Sequence, residues 1–568
     1  MVGAGTYLGG FAQSLEQRGE EVLYTFSPDG LQDGETLSYV GLHRRASAIA
    51  RRLREAVAPG DRVILMAPPG LDYIAGFFAC MYTGVIAVPA YPPSSFHDRD
   101  NMNRLFAVAI DAGTTTGLVT RDILAGLESF DFGNVDASWV TIDGDDGSES
   151  DEPGQEGLLA ARPEDIAFLQ YTSGSTGNPR GVIITQGNLA ANISMTAQGY
   201  GYDPLDPHHF VSWLPPYHDM GLIGAVLTPA WLGFPVTFMP PSAFLRRPVR
   251  WLQAIDRVRG TLSAGPNFAF DICVDKISDE DLEQLDLSSW RIAVNGAEPV
   301  RAATLERFVR RFSPCGFRRS TFYPSFGMAE ATLMVTTGSL GSAASIVQLD
   351  ADALRAGRAE RALPDDEAVT VVTCGRPSES VEVSIVDPGS REPVADGQVG
   401  EIVVSGPQVA AGYWTETPDA ATTFRDGSVA TGDLGVFIDG ELAVTGRIKD
   451  VLVLRGRNYY PQDIERSAEA AHPALRRGNA AAFTVDHEAG VDLVVVLEVV
   501  PAKLDDPHAV VDHVRRSITS AHGVAASAIV LVSPGRIPKT SSGKVRRGEA
   551  RKRHLAGQLE PVMTWSKR

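Results

Sequence analysis

Apolar residues recur at helical spacing in SYVGLHRRASAIARRL (38–53), where Leu42, Ala46, Ile49, Ala50 and Leu53 share one face. The apolar run RVILMA (62–67) follows, then a second helix-like stretch, YIAGFFACMYTG (73–84), and another short run, VIAVPAY (85–91). Helices alternating with short buried strands predict layered α/β structure with largely parallel sheets. VEVSIVD (381–387), EIVVSG (401–406) and ELAVTG (441–446) alternate with period two and predict a small β subdomain. Beyond Gly446 the texture changes again. PQDIERSAEAA (461–471) predicts a helix with Pro in its first turn, VDLVVVLEVV (491–500) a strand, and HAVVDHVRRSI (508–518) an amphipathic helix. The predicted fold is therefore α/β. A large N-terminal domain (1–446) combines layered α/β subdomains with the small β subdomain, and a small mobile C-terminal α+β domain spans 447–568.

Two segments test that picture. Met220 to Leu245 carries no charge and is long enough to span a bilayer, but Pro229, Gly233, Pro235, Pro240 and Pro241 interrupt it. It reads as a buried helix over GLIGAVLTPAWL (221–232) followed by a strand in PVTFM (235–239), with no transmembrane segment. The acidic stretch DGDDGSESDEPGQEG (143–157) has the composition of a solvated linker.

At 568 residues, 44% hydrophobic and 21% charged, the chain has the composition of a multidomain globular protein. A net charge of −19 argues against a nucleic-acid partner. Cys80, Cys273, Cys315 and Cys374 are far apart, without metal-finger spacing, and read as reduced thiols of a cytoplasmic protein. The N-terminus lacks the basic and apolar regions of a signal peptide. Only seven of the 51 basic residues are Lys, so Lys449 and Lys544 stand out where Arg is the usual cation.

After the strand-like IAFLQ comes YTSGSTGNPRGV (171–182), rich in small and hydroxyl residues. Such a loop brings backbone amides close to a polyphosphate, although it lacks the Walker Lys-Ser/Thr pair. By itself it is equally ordinary turn chemistry. Lys544, in GRIPKTSSGKVRR, equally fits a solvated basic tail.

Taken in order, YTSGSTGNPRGV, WLPPYHDMGLIG (213–224), NGAEPV (295–300), YPSFGMAEATL (323–333), GEIVVSGPQVAAGYW (400–414), TGDLG (431–435), GRIKDVLVLRGRNYYPQDIE (446–465) and PKTSSGKVRR (538–547) resemble the adenylate-forming superfamily. That superfamily holds acyl-CoA synthetases, luciferases and peptide-synthetase adenylation domains. LPPYHDMGLIG, SFGMAEATL and RGRNYYPQDIE have the wording of its fatty acyl-AMP ligase branch.

The resemblance implies use of ATP and Mg²⁺. Thr172, Ser173, Gly174, Ser175, Thr176 and Gly177 would cradle the departing phosphates, with Glu330 and Thr172 beside the metal. Gly296, Ala297 and Glu298 would line the adenine, together with Ser325, Phe326, Gly327 and Met328. Asp433 would take the ribose hydroxyls, Arg447 the ribose or phosphate, and Lys544 would be the catalytic cation, with Lys449 as the hinge. Many members have Thr where Ala329 stands, so that contact to the α-phosphate must come from elsewhere. His218, Asp219, Met220, Gly221, Asn267 and Phe268 would form the acyl pocket.

The implied reaction joins a medium-to-long-chain fatty acid to AMP, then passes the acyl group to the phosphopantetheine thiol of an acyl carrier protein supplied in trans. A fatty acyl-CoA synthetase and a non-catalytic acyl-nucleotide-binding protein are the alternatives. The stretch from Thr337 to Gly375 is longer than a simple connection, and DADALRAGRAERAL (350–363) within it is helix-like. This extra segment resembles one carried by fatty acyl-AMP ligases.

Overall fold

A computed structural model describes residues 5–92, 99–128, 137–143, 160–172, 179–416, 420–454, 457–487, 490–539 and 544–567. The acidic linker from 144 and the phosphate-loop residues Ser173, Gly174, Ser175, Thr176 and Gly177 lie outside them.

Two largely parallel sheets carry the N-terminal part. A seven-stranded sheet runs in the order Phe322–Pro324, Ile292–Asn295, Leu262–Gly265, Phe210–Ser212, Val236–Phe238, Val22–Phe26, Thr36–Ser38, and only its last pair is antiparallel. A six-stranded sheet runs Ser138–Thr141, Thr116–Val119, Arg62–Met66, Ile86–Pro89, Ile166–Thr172, Arg180–Thr185, again antiparallel only at the end. The helix Leu71–Thr83 is buried at every residue except Asp72. That burial explains why YIAGFFACMYT has no polar face: a helix enclosed on all sides must be apolar all round. Phe77 meets Phe168 of the six-stranded sheet, and Phe78 meets Phe11 of the first helix.

The β subdomain is as the period-two pattern predicts. Glu382–Val386, Gly400–Ser405, Ser428–Ile438 and Glu441–Arg447 pair antiparallel in sequence order. The smaller C-terminal domain has a four-stranded sheet, Leu475–His487, Gly490–Val499, Ala528–Val532 and Pro561–Ser566. Helices Pro461–Ala470 and Pro507–His522 cover one face through Ile464, Val510, Val514 and Ile518. Helix Arg547–Leu555 covers the other through Ala550, against Phe483 and Val530.

Two elements differ from their sequence expectation. The helix expected over 221–232 is a π-helix at Met220–Leu227, becoming an α-helix only at Thr228–Leu232. Asp219 takes the Met220 N–H at 2.6 Å where it starts, and Pro229 has no N–H to give near its end. Helical periodicity cannot distinguish the two turn widths, and π-turns gather at functional sites. Of the helix-like stretch 350–363, only Ala351–Arg355 is helical, because Gly357 turns left-handed at φ 80°. A hairpin, Ile346–Asp350 against Ala368–Val372, brackets that stretch, which returns alongside it through the Ala362 N–H to the Gln348 carbonyl at 3.0 Å.

All four cysteines are buried free thiols. Among the described residues no helix is long and apolar enough to cross a membrane.

Gly221 is required by close approach: a Cβ there would lie 2.0 Å from the Pro215 carbonyl oxygen. Gly221→Ala is expected to lower stability by about 1–3 kcal/mol, the usual range for overpacking against a fixed neighbour. Urea denaturation measures this, and an unchanged midpoint would show that the π-helix start can relax.

Candidate active site

The carboxyl ends of parallel strands in an open α/β sheet are where ligands bind, because loops and helix starts converge there. In the seven-stranded sheet, Ile292–Asn295 runs into the turn of Gly296, Ala297 and Glu298. Its neighbour Phe322–Pro324 runs into Ser325 and Phe326, Leu262–Gly265 into helix Asn267–Lys276, and Phe210–Ser212 towards His218 and Asp219. Residues separated by more than a hundred positions thus reach one edge.

The turns are interlocked. Ser325 N–H donates to the Asn295 carbonyl at 3.0 Å, and a Cβ on Gly296 would lie 2.9 Å from the Ser325 carbonyl oxygen. Ala297 holds φ at 64°, a left-handed conformation that a non-glycine residue keeps only when its surroundings fix it. The Phe268 N–H donates to the Glu298 carboxylate at 2.5 Å, so Glu298 ties the turn to the start of helix Asn267–Lys276. Burial raises the Glu298 pKa, opposed by that N–H, Arg301 and Lys544. The Asn267 side chain accepts from the Arg301 N–H and donates to Thr304, fixing the same helix to helix Ala302–Phe312.

His218 Nδ1 lies 2.9 Å from Asp219, which also receives the Met220 N–H. Burial works against the Asp219 charge, but His218, Met220 and Lys544 outweigh it and hold its pKa below the ordinary range.

Glu330 follows Met328, whose N–H donates to the Leu333 carbonyl at 2.8 Å. Its carboxylate takes a hydrogen bond from the Tyr413 hydroxyl at 2.9 Å, and its carbonyl takes the Ala410 N–H at 2.9 Å. Burial raises the Glu330 pKa first of all, and Tyr413 opposes this. Arg180, just beyond the phosphate-loop stretch, lies over the Tyr413 ring at 5.3 Å, while Trp414 N–H donates to Gly181 at 2.7 Å. The sequence reading did not single out Tyr413. Its signal was present in GYW, directly after the motif GPQVAA.

Asp433, 7% exposed, pairs in register with Arg447 across the strand pair, and Arg447 Nε lies 2.9 Å from its carboxylate. The two residues expected to meet the ribose and phosphate are thus one ion pair. Burial raises the Asp433 pKa against the pull of Arg447 and Lys544. Lys544 comes from the C-terminal domain. Burial, then the Arg447 charge, lowers its pKa, while Asp219, Glu298 and Asp433 pull it upward. Residues assigned from five separate motifs share one electrostatic field. Thr172 ends the strand Ile166–Thr172 opposite Arg180, and Lys449 sits in a short 3₁₀ turn, Ile448–Asp450.

The extra segment touches the C-terminal domain. Asp352 pairs with Arg457 at 3.2 Å, Arg355 lies 5.8 Å over the Tyr459 ring, and Val347, Leu349 and Leu354 share an apolar cluster with Tyr460.

Residues 11–414 match the model of the AMP-binding enzyme family, and residues 449–563 match the AMP domain of Disco-interacting protein 2-like proteins. A medium-chain-fatty-acid–[acyl-carrier-protein] ligase of Moorena producens is 39% identical over 94% of this chain and 93% of its own. A structure from a study of fatty acyl-adenylate ligases of E. coli and L. pneumophila superposes with a TM-score of 0.89 at 34% identity, covering 97% of this chain and 98% of the other. The L. pneumophila fatty acyl-adenylate ligase in complex with acyl adenylate and pyrophosphate is 35% identical, with a TM-score of 0.75 over 100% of this chain and 98% of its own. The chain belongs to the AMP-binding family of adenylate-forming ligases, among the fatty acyl-AMP ligases and their fatty-acid–[acyl-carrier-protein] relatives.

Proposed function

We propose that this protein activates a medium-to-long-chain fatty acid with ATP and then delivers the acyl group to a carrier-protein thiol. The observation that carries this reading is the placement of Lys544 in one field with Asp219, Glu298, Asp433 and Arg447, beside the interlocked turns. In the first step a fatty carboxylate oxygen bonds to the α-phosphorus and pyrophosphate leaves. Two anions must meet, so the protein positions both and counters the charge that develops. Lys544 supplies a compact cation between them, Asp433 takes the ribose hydroxyls, and Gly296, Ala297 and Phe326 bound the adenine. Glu330, already oriented by Tyr413, fits as the protein ligand of magnesium, with the Thr172 hydroxyl nearby.

Among the described residues no group of three or more His, Cys, Asp or Glu could hold a metal. That suits an ion taking one carboxylate and filling its other positions with phosphate and water oxygens. Bound there, magnesium neutralises charge on the phosphates. In the second step a phosphopantetheine sulfur, its proton lost, bonds to the acyl carbon and AMP leaves. We place the domain boundary at residues 446/447 and the hinge at Lys449, so that Lys544 withdraws before the thiol enters. The buried free thiols support a cytoplasmic setting.

The acceptor follows from the extra segment. Through Asp352, Arg355 and Leu354 it touches the C-terminal domain, and on this reading that contact disfavours a bulky CoA nucleotide and admits a slim phosphopantetheine arm. The Moorena relative, named for carrier-protein ligation, supports the same assignment. The acyl-CoA synthetase reading predicts efficient use of CoA instead.

Lys544→Ala is expected to slow acyl-adenylate formation by about 10²–10³-fold, the usual effect of removing one transition-state charge contact, with ATP binding little changed. Pyrophosphate release measures it, and near-normal release by the variant would refute the role.

Lys544 acts as a cation, so adenylation is full below its pKa and is lost as pH rises through it. That limb should lie below the ordinary lysine range, because burial and Arg447 both depress the pKa. In Arg447→Gln the residual activity should keep to higher pH. A limb that stays put or moves down would exclude this coupling.

The intact enzyme should load a phosphopantetheinylated carrier protein and make almost no acyl-CoA. A differential of about 3 kcal/mol already suppresses CoA use more than a hundredfold. Replacing residues 350–363 with a short Gly/Ser link should raise acyl-CoA output while adenylation persists, as read by mass spectrometry of products. Efficient CoA turnover by the intact enzyme would give the assignment to the acyl-CoA synthetase reading.

A further inference from the structure

The Arg547 guanidinium is committed on every side. Its Nε and one terminal nitrogen donate to the two Glu465 carboxylate oxygens at 2.6 and 2.7 Å, and its other terminal nitrogen donates to Asp450 at 2.9 Å. Glu465 lies on helix Pro461–Ala470 and also accepts the Ala482 N–H of the edge strand Leu475–His487 at 2.9 Å. Asp450 closes the 3₁₀ turn Ile448–Asp450 that leaves the N-terminal domain. Arg547 itself begins the helix immediately after the loop that carries Lys544. Its neighbour Arg546 donates its N–H to the Pro538 carbonyl at 2.8 Å, and Lys539 and Val545 form a bridge, so the loop is closed at its base.

The other side of the turn is fixed to the sheet of the β subdomain. Arg447 pairs in register with Asp433 on the neighbouring strand and holds its carboxylate at 2.9 Å. Between that anchor and Asp450 lie only Ile448 and Lys449, and the Val451 N–H donates across the turn to the Arg447 carbonyl at 3.1 Å. A planar fork that satisfies two carboxylates at once transmits direction, which a flexible ammonium does not.

We infer that Arg547 is a positioning residue that locks the Lys544 loop to the residue directly after the hinge, so that rotation about Ile448–Lys449 carries the catalytic cation as one rigid piece. Glu465 is the third corner of the clamp, tying both to the body of the C-terminal domain. The inference rests on the adenylation chemistry proposed above and adds the device that delivers Lys544 accurately. A displacement near 1 Å in a reacting group costs about 10²-fold in rate, so a slack link between hinge and loop is felt in the chemical step and not in nucleotide binding.

The test uses the full chain, with dodecanoate and ATP as substrates and dodecanoyl-sulfamoyl-adenosine as an inert binding probe. Asp450→Ala removes the hinge arm and leaves the Arg547–Glu465 pair in place. Its single-turnover rate of acyl-adenylate formation should fall by about 10-fold or more, while probe affinity stays within about threefold. Its melting temperature should stay within about 2 °C of the wild type. Arg547→Lys should show the same pattern, and the double variant should be no slower than Arg547→Lys alone, because both break one linkage. An Asp450→Ala rate within about threefold of wild type, multiplicative losses, or parallel loss of probe binding or melting temperature would overturn the clamp. Failure of the wild type itself to form the adenylate would overturn the enzyme reading along with it.

Discussion

A buried ammonium is strongly unfavourable unless opposite charges face it, and the site is arranged around that constraint. Lys544 arrives from a separate domain into a region where Asp219, Glu298 and Asp433 already lie, each largely buried and each drawing partial compensation from the lysine. Without Lys544 the carboxylates lose a shared cation, and without them the lysine pKa would fall further. Arg447 limits the arrangement from the other direction, since its positive charge pairs with Asp433 but also repels Lys544. The cation therefore sits between the attraction of three carboxylates and the repulsion of one guanidinium.

Its accurate use depends on a rigid floor. The turns after Asn295 and Pro324 touch through backbone, Glu298 binds one of them to the neighbouring helix, and Tyr413 fixes Glu330 from the β subdomain. Most of these links use backbone groups or short side chains, which lose little conformational freedom when ordered. Catalysis by preorganised charge needs this property, because donors that must reorganise during reaction give part of their benefit back.

The extra segment works at the opposite boundary. It is a short hairpin whose apolar inner face meets Tyr460 and whose polar rim reaches Arg457 and Tyr459. Exposed ion pairs contribute little by themselves, so the apolar contact through Val347, Leu349 and Leu354 is the main adhesion.

The chain's order of motifs determined the family and with it the expected chemistry, and local patterning determined the buried helix Leu71–Thr83, apolar beyond Asp72, and the alternating strands of the β subdomain. These features depend on residues close in sequence, where spacing and burial are directly related. Tertiary structure decided the rest. The π-turn at Met220–Leu227 depends on Asp219 and on the nearby Pro215 carbonyl, and the helix-like stretch after Asp350 stays helical only to Arg355, its remainder lying between the paired strands Ile346–Asp350 and Ala368–Val372. The contacts of Tyr413, Glu298 and Arg547 were decided there too, although the motifs that hold Tyr413 and Glu298 are legible in the chain. Each acts through a partner at least 30 positions away, and one-dimensional periodicity carries no information about which distant polar groups will face one another.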